Sequence, residues 1–283
     1  MTEATVDIDH LRQWVGRTEA AVDTVSPRLV SGYLAVLDDP NPERAEGAPA
    51  PLAIHWCLAP ATRPMSQLGL DGHPQRGGLL PPVPLPHRMW AGGKMDLHGR
   101  LQVGDVVTRQ STVRDVTLKA GRSGALCFVT VDHAFTGPRG LAVTERHDIV
   151  YRAPRNPDAP QPAVPQAPAP RWSYSVMADP VLLFRYSALT FNGHRIHYDR
   201  NHAITSEGYA GLVVHGPLQA TMMLEYAAHL HGAPPVSFDY RGVSPLIDGA
   251  AFTVNAAEQD GGLHLWTAAA DGRLCMEARA VWN

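Results

Sequence analysis

At 283 residues the chain is long for one ordinary domain and sufficient for two, with 45% hydrophobic and 18% charged residues, a composition that excludes wholesale disorder. A formal net charge of −3 offers no broad basic field and excludes nucleic acid as the main partner. Three widely spaced cysteines (Cys57, Cys127 and Cys275) form no CxxC pair, which fits reduced thiols in a cytoplasmic protein better than a disulfide framework. The acidic opening MTEATVDIDH has no apolar core of a signal peptide, and the most apolar stretch, LLPPVPLP, is short and broken by proline. Neither export nor a membrane span is expected. The reading at this point is an enzyme or a small-molecule binder.

Taken in chain order, DDPNPERAEGAPAP at 38–51 reads as a surface loop. RGGLLPPVPLPHRMWAGG at 76–93 is too rich in proline and glycine to be regular. Strands are expected at 106–119, 125–135 and 141–151, parted by the turn sequences AGRSG and TGPRG. Seven prolines within 152–170 predict an extended linker that cannot build a core, so the chain divides into units at 1–151 and 174–283 joined by 152–173. In the second unit, Leu218, Met222, Tyr226 and Leu230 recur at helical spacing within 217–231, and Gly232 followed by Pro234 and Pro235 supplies the stop. Strands are expected at 250–257, 263–269 and 274–282, separated by EQDGG and DGR. A short echo, LQVGD at 101–105 against LIDGA at 246–250, enters the first long strand of each unit. A helix followed by an antiparallel meander, present twice, predicts an α+β architecture in which a sheet wraps a helix. The first unit, lacking a clean helix, is expected to be the one remodelled to shape a pocket.

The densest polar cluster is SALTFNGHRIHYDRNH at 187–202, holding Asn192, His194, His197, Asp199 and His202. LVVHGP then opens the helix, with Pro217 at its start and His215–Gly216 just before it. Free amides at that helix start suit a developing oxyanion. Three readings stand side by side. An imidazole can move a proton on an acyl thioester while helix-end amides hold the carbonyl oxygen. His194, His197 and Asp199 of HRIHYD can be read as metal ligands, although no HExxH and no nearby cysteine accompany them. The histidines can also simply satisfy a polar core. No GxGxxG or Walker motif occurs, and GRSGA at 121–125 is a hairpin turn rather than a nucleophile elbow.

YSALTFNGHRIHYDRNHAITSEGYAGLVVHGPLQATMML at 186–224 resembles the MaoC-like hot-dog dehydratases and (R)-specific enoyl-CoA hydratases. The resemblance is to the branch containing mesaconyl-C4-CoA hydratase, itaconyl-CoA hydratase and type 2 3-hydroxyacyl-thioester dehydratase. WVGRTE at 14–19, LGLDGHPQRGGLLPPVPLPHRMWAGG at 68–93, KAGRSG at 119–124 and DIVYR at 148–152 extend it over the first half. It implies a double hot-dog, two helix-in-sheet units in one chain, that adds water reversibly to a 2-enoyl thioester. It also implies that His197 falls on the family's catalytic histidine and that Gly216 is the amide donor to the thioester carbonyl. The family's water-holding Asp falls on Asn192, which cannot accept a proton at neutral pH. His194, Asp199 and His215 are then accessory candidates, and which group replaces the carboxylate stays open.

Within that implied chemistry, a dicarboxylic acyl group of the mesaconyl or itaconyl kind needs a cation, for which Arg76, Arg88, Arg195 and Arg241 are candidates. Trp90 and Met89 are candidates to wall the acyl tunnel. The implied reaction needs no metal and no redox cofactor, CoA being the handle of the substrate. The partner is thus an acyl-CoA thioester, with no nucleic acid or membrane and with a homodimer as an open expectation. A fatty 3-hydroxyacyl-thioester dehydratase, a hot-dog thioesterase and a non-catalytic acyl-CoA-binding protein are the alternatives.

Overall fold

A computed structural model describes residues 6–121, 124–153 and 163–282. The centre of the expected linker and part of the AGRSG turn lie outside the described residues. A short helix α1 (Ile8–Arg12) leads into β1 (Thr18–Thr24) and α2 (Pro27–Val36), which Ser26 caps by accepting from the Leu29 amide. Then come β2 (His87–Leu97), β3 (Val106–Gly121), β4 (Gly124–Gly137) and β5 (Gly140–Arg152). The second half runs β6 (Trp172–Met177), α3 (Pro180–Thr190), α4 (Arg200–Thr205), α5 (Gly216–His231), β7 (Ser237–Gly242), β8 (Ala251–Gln259), β9 (Gly262–Ala268) and β10 (Leu274–Val281).

All ten strands form one antiparallel sheet in the order β1-β3-β4-β5-β2-β7-β10-β9-β8-β6. The second half of that order is the first half mirrored. Each unit has an outer strand, a helix, a central strand and a three-stranded meander, and the two central strands meet at β2–β7. This is the double hot-dog.

α5 fills the second unit. Pro217 presets its first turn, Gly232 ends it at φ +84°, and every residue from Leu218 to Leu224 is buried. A helix buried all round at one end belongs inside a curved sheet rather than upon it. The first unit has no such helix. Between α2 and β2 the described chain carries only 3-10 turns at Ile54–Cys57 and Met65–Gln67.

The expected irregular segment at 76–93 needs correction: its end belongs to β2, an eleven-residue strand. The prolines stop at Pro86, and the glycines serve close approach. A Cβ on Gly92 would lie 2.5 Å from the Tyr240 carbonyl oxygen, and one on Gly93 would lie 2.6 Å from the Tyr240 hydroxyl. The register shifts between Trp90 and Gly92, a bulge that re-aims Trp90.

Among the described residues no helix is long and apolar enough to cross a membrane.

Candidate active site

α3 ends at Phe191 in the left-handed region (φ 50°), and the chain turns there into the loop that carries the histidines. The Asn192 side chain accepts from the His194 amide at 3.0 Å, closing an Asx turn. A 3-10 turn, Arg195–His197, follows. The Val213 amide donates to the Ile196 carbonyl at 2.9 Å, and the Val214 amide donates to the Leu246 carbonyl at 2.8 Å. The histidine loop is thereby fastened to the chain entering α5.

His197 is buried, and its Nδ1 lies 2.7 Å from the Val213 carbonyl oxygen. A carbonyl can only accept, so Nδ1 carries the hydrogen and Nε2 keeps its lone pair. Burial pulls the ring's pKa down to about 4 against that hydrogen bond, which favours the protonated form. At neutral pH His197 is therefore an uncharged base.

Its ring stacks on His215 at 3.6 Å between centroids, 19° from parallel. His215 Nε2 lies 2.8 Å from the Ser187 hydroxyl oxygen, and its Nδ1 has no partner. His215 is fully buried, and burial followed by the neighbouring His197 holds it well below the ordinary histidine range. It packs behind His197 and is not among the residues lining the cavity.

The cavity in front of His197 has a volume of about 1260 Å³. His197 and Gly216 both line it, as do Asn192, His194, Arg88, Met89 and Trp90. No side chain caps α5, so the amide of Gly216 at its start is open to a ligand oxygen. Trp90 presses on this position: a Cβ on Gly216 would lie 2.7 Å from its Cε3.

Several sequence candidates are placed differently. Asp199 caps α4, accepting from the His202 amide at 3.0 Å, and pairs with Arg195 at 2.7 Å. With Asp199 so held and His197 Nδ1 turned to Val213, the trio His194, His197 and Asp199 does not converge as a ligand set. Arg195 borders the cavity but also donates to the Leu70 carbonyl at 3.0 Å. Arg76 donates to the carbonyls of Val83, Leu85 and Pro86 and lies 4.9 Å over the Tyr151 ring. It lines the cavity, and with these bonds it holds the 76–86 segment in shape. Arg241 is exposed and pairs with Glu277 away from the cavity. Of the four arginines, Arg88 lines the cavity with no described carboxylate within 4.0 Å of its guanidinium and no hydrogen bond from that group to a described residue; Arg152 also lines the cavity without a carboxylate that close.

The sequence reading does not single out Asp71, His73 or Ser187. Asp71 accepts from the His73 amide at 3.0 Å, and its other oxygen lies 3.3 Å from His73 Nδ1. The local signal is D-G-H, an Asx-type turn holding its own imidazole. Nothing local in the sequence places it against a loop of the other half.

The family model for hydroxyacyl-thioester dehydratase type 2 matches residues 53–248. The chain is 42% identical over 266 residues to mesaconyl-C(4)-CoA hydratase of Chloroflexus aurantiacus, covering 94% of this chain and 95% of that protein. It is 26% identical over 219 residues to the mitochondrial hydroxyacyl-thioester dehydratase type 2 of Schizosaccharomyces pombe, covering 68% and 72%. Among solved structures, a MaoC-like dehydratase from Phytophthora capsici superposes with a TM-score of 0.71 at 16% identity, covering 98% of this chain and 99% of that one. A Mycobacterium tuberculosis protein described as a double hot-dog superposes at 0.55 and 15% identity, covering 94% and 95%. At such identities the structural matches speak for the fold alone. The family match spans more than half of the chain and the first relative nearly all of it: the chain belongs to the hydroxyacyl-thioester dehydratase type 2 family.

Proposed function

We propose that the protein catalyses the reversible hydration of a 2-enoyl-CoA, with a short, branched dicarboxylic acyl group of the mesaconyl or itaconyl kind. The observation that carries this reading is the sharing of one cavity by the bare Nε2 of His197 and the uncapped start of α5 at Gly216. The Gly216 amide would hold the thioester oxygen as enolate charge builds, a contribution of about 10²–10³-fold for one such donor. His197 Nε2 would take a proton from water as its oxygen adds to the β-carbon and return that proton to the α-carbon on the same face. One imidazole then serves both half-steps, the addition is syn, and general acid–base transfer adds about 10²–10⁴-fold.

Arg88 supports the dicarboxylic substrate, because a guanidinium facing a cavity without a carboxylate partner suits a ligand that brings one. A fatty acyl chain is the second reading, supported by the apolar wall of Leu79, Leu80, Val131 and Ile149 in the same cavity. A cytosolic location is part of the proposal, supported by the free, buried state of Cys57, Cys127 and Cys275.

The test is hydration of crotonyl-, mesaconyl-, itaconyl- and a long-chain enoyl-CoA, followed by loss of enoyl absorbance, with free thiol measured in parallel. Turnover of the dicarboxylic thioesters, abolished at least 100-fold in His197→Ala and weakened mainly in KM by Arg88→Gln, is the expected outcome. Release of free CoA from saturated thioesters would replace the hydratase reading with a thioesterase.

A further inference from the structure

The Asn192 side-chain oxygen is taken up by the His194 amide, and a second acceptor for a water in the cavity comes from the other half of the chain. The turn at 69–73 docks directly onto the histidine loop. Gly72 has φ +88°, a conformation suited to glycine, and a Cβ there would run into the Gly193 carbonyl. A Cβ on Gly193 would in turn lie 2.8 Å from the Gly72 carbonyl oxygen. The Arg195 amide donates to the Asp71 carbonyl at 2.9 Å, and the Arg195 side chain donates to the Leu70 carbonyl at 3.0 Å. Two close glycines, one backbone hydrogen bond and one from the Arg195 side chain thus clamp the turn to the loop.

What the clamp delivers is His73. Its ring lies 4.3 Å from that of His194, which in turn lies 5.4 Å from His197. One donor atom each of Asp71, His73 and His194 falls within 4.8 Å of the others. His73 lines the same cavity as His197, Asn192 and Gly216. A carboxylate only accepts, so Asp71 orients the ring with Nδ1–H towards itself and leaves the Nε2 lone pair free. The result is a second imidazole with the same tautomer as His197.

We infer that His73, held by Asp71, is the second hydrogen-bond acceptor for the attacking water beside the base His197, the water-holding part that the Asn192 side-chain oxygen, spent on the His194 amide, does not play. This rests on the hydratase reading above. A water donating one O–H to His197 Nε2 and the other to His73 Nε2 has its oxygen lone pair free to attack the β-carbon. As the C–O bond forms, one O–H bond breaks and its proton passes to His197. The electron pair of the C=C bond moves onto the thioester oxygen at Gly216. The proton then moves from His197 to the α-carbon, the enolate collapses, and both imidazoles end neutral. His73 keeps its hydrogen bond to the new hydroxyl throughout.

Both rings must be uncharged to accept from water. The charged and titratable groups facing His73 are Asp71 on its own turn, Arg76 and Arg88 from the flanking segment and β2, and His194 and His197 from the opposite loop. Burial, then Arg88, shifts the ring downward, against Asp71, which shifts it upward. Asp71 itself is pulled to about 2: burial would raise it, but the His73 hydrogen bonds and Arg88 outweigh that.

The experiment compares wild type, His73→Gln, His73→Ala and Asp71→Asn on the enoyl-CoA the wild type hydrates best, with melting temperature recorded for each. His73→Gln should lower kcat about 100-fold with KM changed less than threefold. The acid limb of log kcat/KM should fall from a slope of two in the wild type to one. Added imidazole should restore part of the His73→Ala rate, and Asp71→Asn should fall between wild type and His73→Gln. His73→Gln keeping kcat within threefold and an unchanged acid limb would overturn the inference while leaving the hydratase reading standing. A folded wild type that hydrates none of the four enoyl-CoAs would remove the reading and this inference together.

Discussion

In the proposed hydration, His197 sets the pH behaviour of the site. Its Nε2 must be unprotonated to take a proton from water, and burial has moved its pKa down to about 4. The neutral fraction is nearly complete at pH 6 and above, and falls as pH drops through that value. Measured against a substrate stable to acid, kcat/KM for hydration should therefore hold level from pH 8 to about pH 5 and decline below it. An unperturbed histidine would begin to lose activity about two pH units earlier. Ser187 acts at one remove. It engages Nε2 of His215, whose ring lies against His197, so Ser187→Ala frees a fully buried imidazole to turn. We expect kcat to fall about tenfold with KM unchanged, and with the acid limb displaced because the group stacked on His197 has moved. His197 is legible from the sequence because its loop, its helix start and its spacing lie within thirty residues or so of one another. The placement of His73 is not, because what brings it to the cavity is a contact between Gly72 and Gly193, and a glycine in sequence gives no sign of what it approaches.

Elements differ in legibility for the same reason. The two meanders follow from turn chemistry and alternation, so β3, β4, β5, β8, β9 and β10 sit within about two residues of their expected bounds. β2 defeats local reading because its glycines are there for neighbouring strands: Tyr240 reaches over Gly93, and Trp90 leaves the bulge to cover Gly216. That cover makes the helix start sensitive. Gly216→Ala puts a methyl group against the Trp90 ring, so either the indole or the helix end must shift. Activity should drop at least tenfold, and Gly216→Ala combined with Trp90→Phe should recover part of it, since the smaller ring yields space. Further along α5, Glu225 is raised to about 7 by burial, against its hydrogen bond from the Leu52 amide and the nearby Arg100. A carboxyl whose folded pKa exceeds its unfolded one favours the fold below the unfolded value and loses that contribution as pH rises through the folded value. Glu225→Gln should thus flatten the decline in melting temperature between pH 5 and pH 8, a difference of up to about 3 kcal/mol.

At the scale of the whole molecule the two units are joined by more than the β2–β7 seam. The main core runs from Val25 and Tyr33 through Met95 and Phe135 to Phe238 and Ala280, so neither half owns it. A polar tie crosses the seam as well. Glu145 on β5 is buried, accepts from the Tyr240 hydroxyl of β7 at 2.6 Å and from Trp56 Nε1 at 2.9 Å, and has His147 Nε2 at 2.8 Å and His55 Nε2 at 3.3 Å. β2 lies between Glu145 and Tyr240 in the sheet, and the phenol passes over it only because residue 93 is glycine. Burial alone would raise the Glu145 carboxyl; His147 and His55 hold it well below the ordinary range instead. A carboxyl depressed in this way stabilises the fold above its unfolded pKa, and that stability is lost as pH falls from there towards the folded value. Tyr240→Phe removes one donor from a buried anion and should cost about 1.5–3 kcal/mol at pH 7, read as a shift in the urea midpoint at constant slope. Glu145→Gln leaves Tyr240 with a neutral acceptor, so the same tyrosine change made in that background should cost about 1 kcal/mol or less. A coupling of that size measures the direct bond between Tyr240 and Glu145 and makes it a polar tie between the two halves. Additive costs would instead mean that this bond adds nothing to the strand pairing and apolar packing that join the halves.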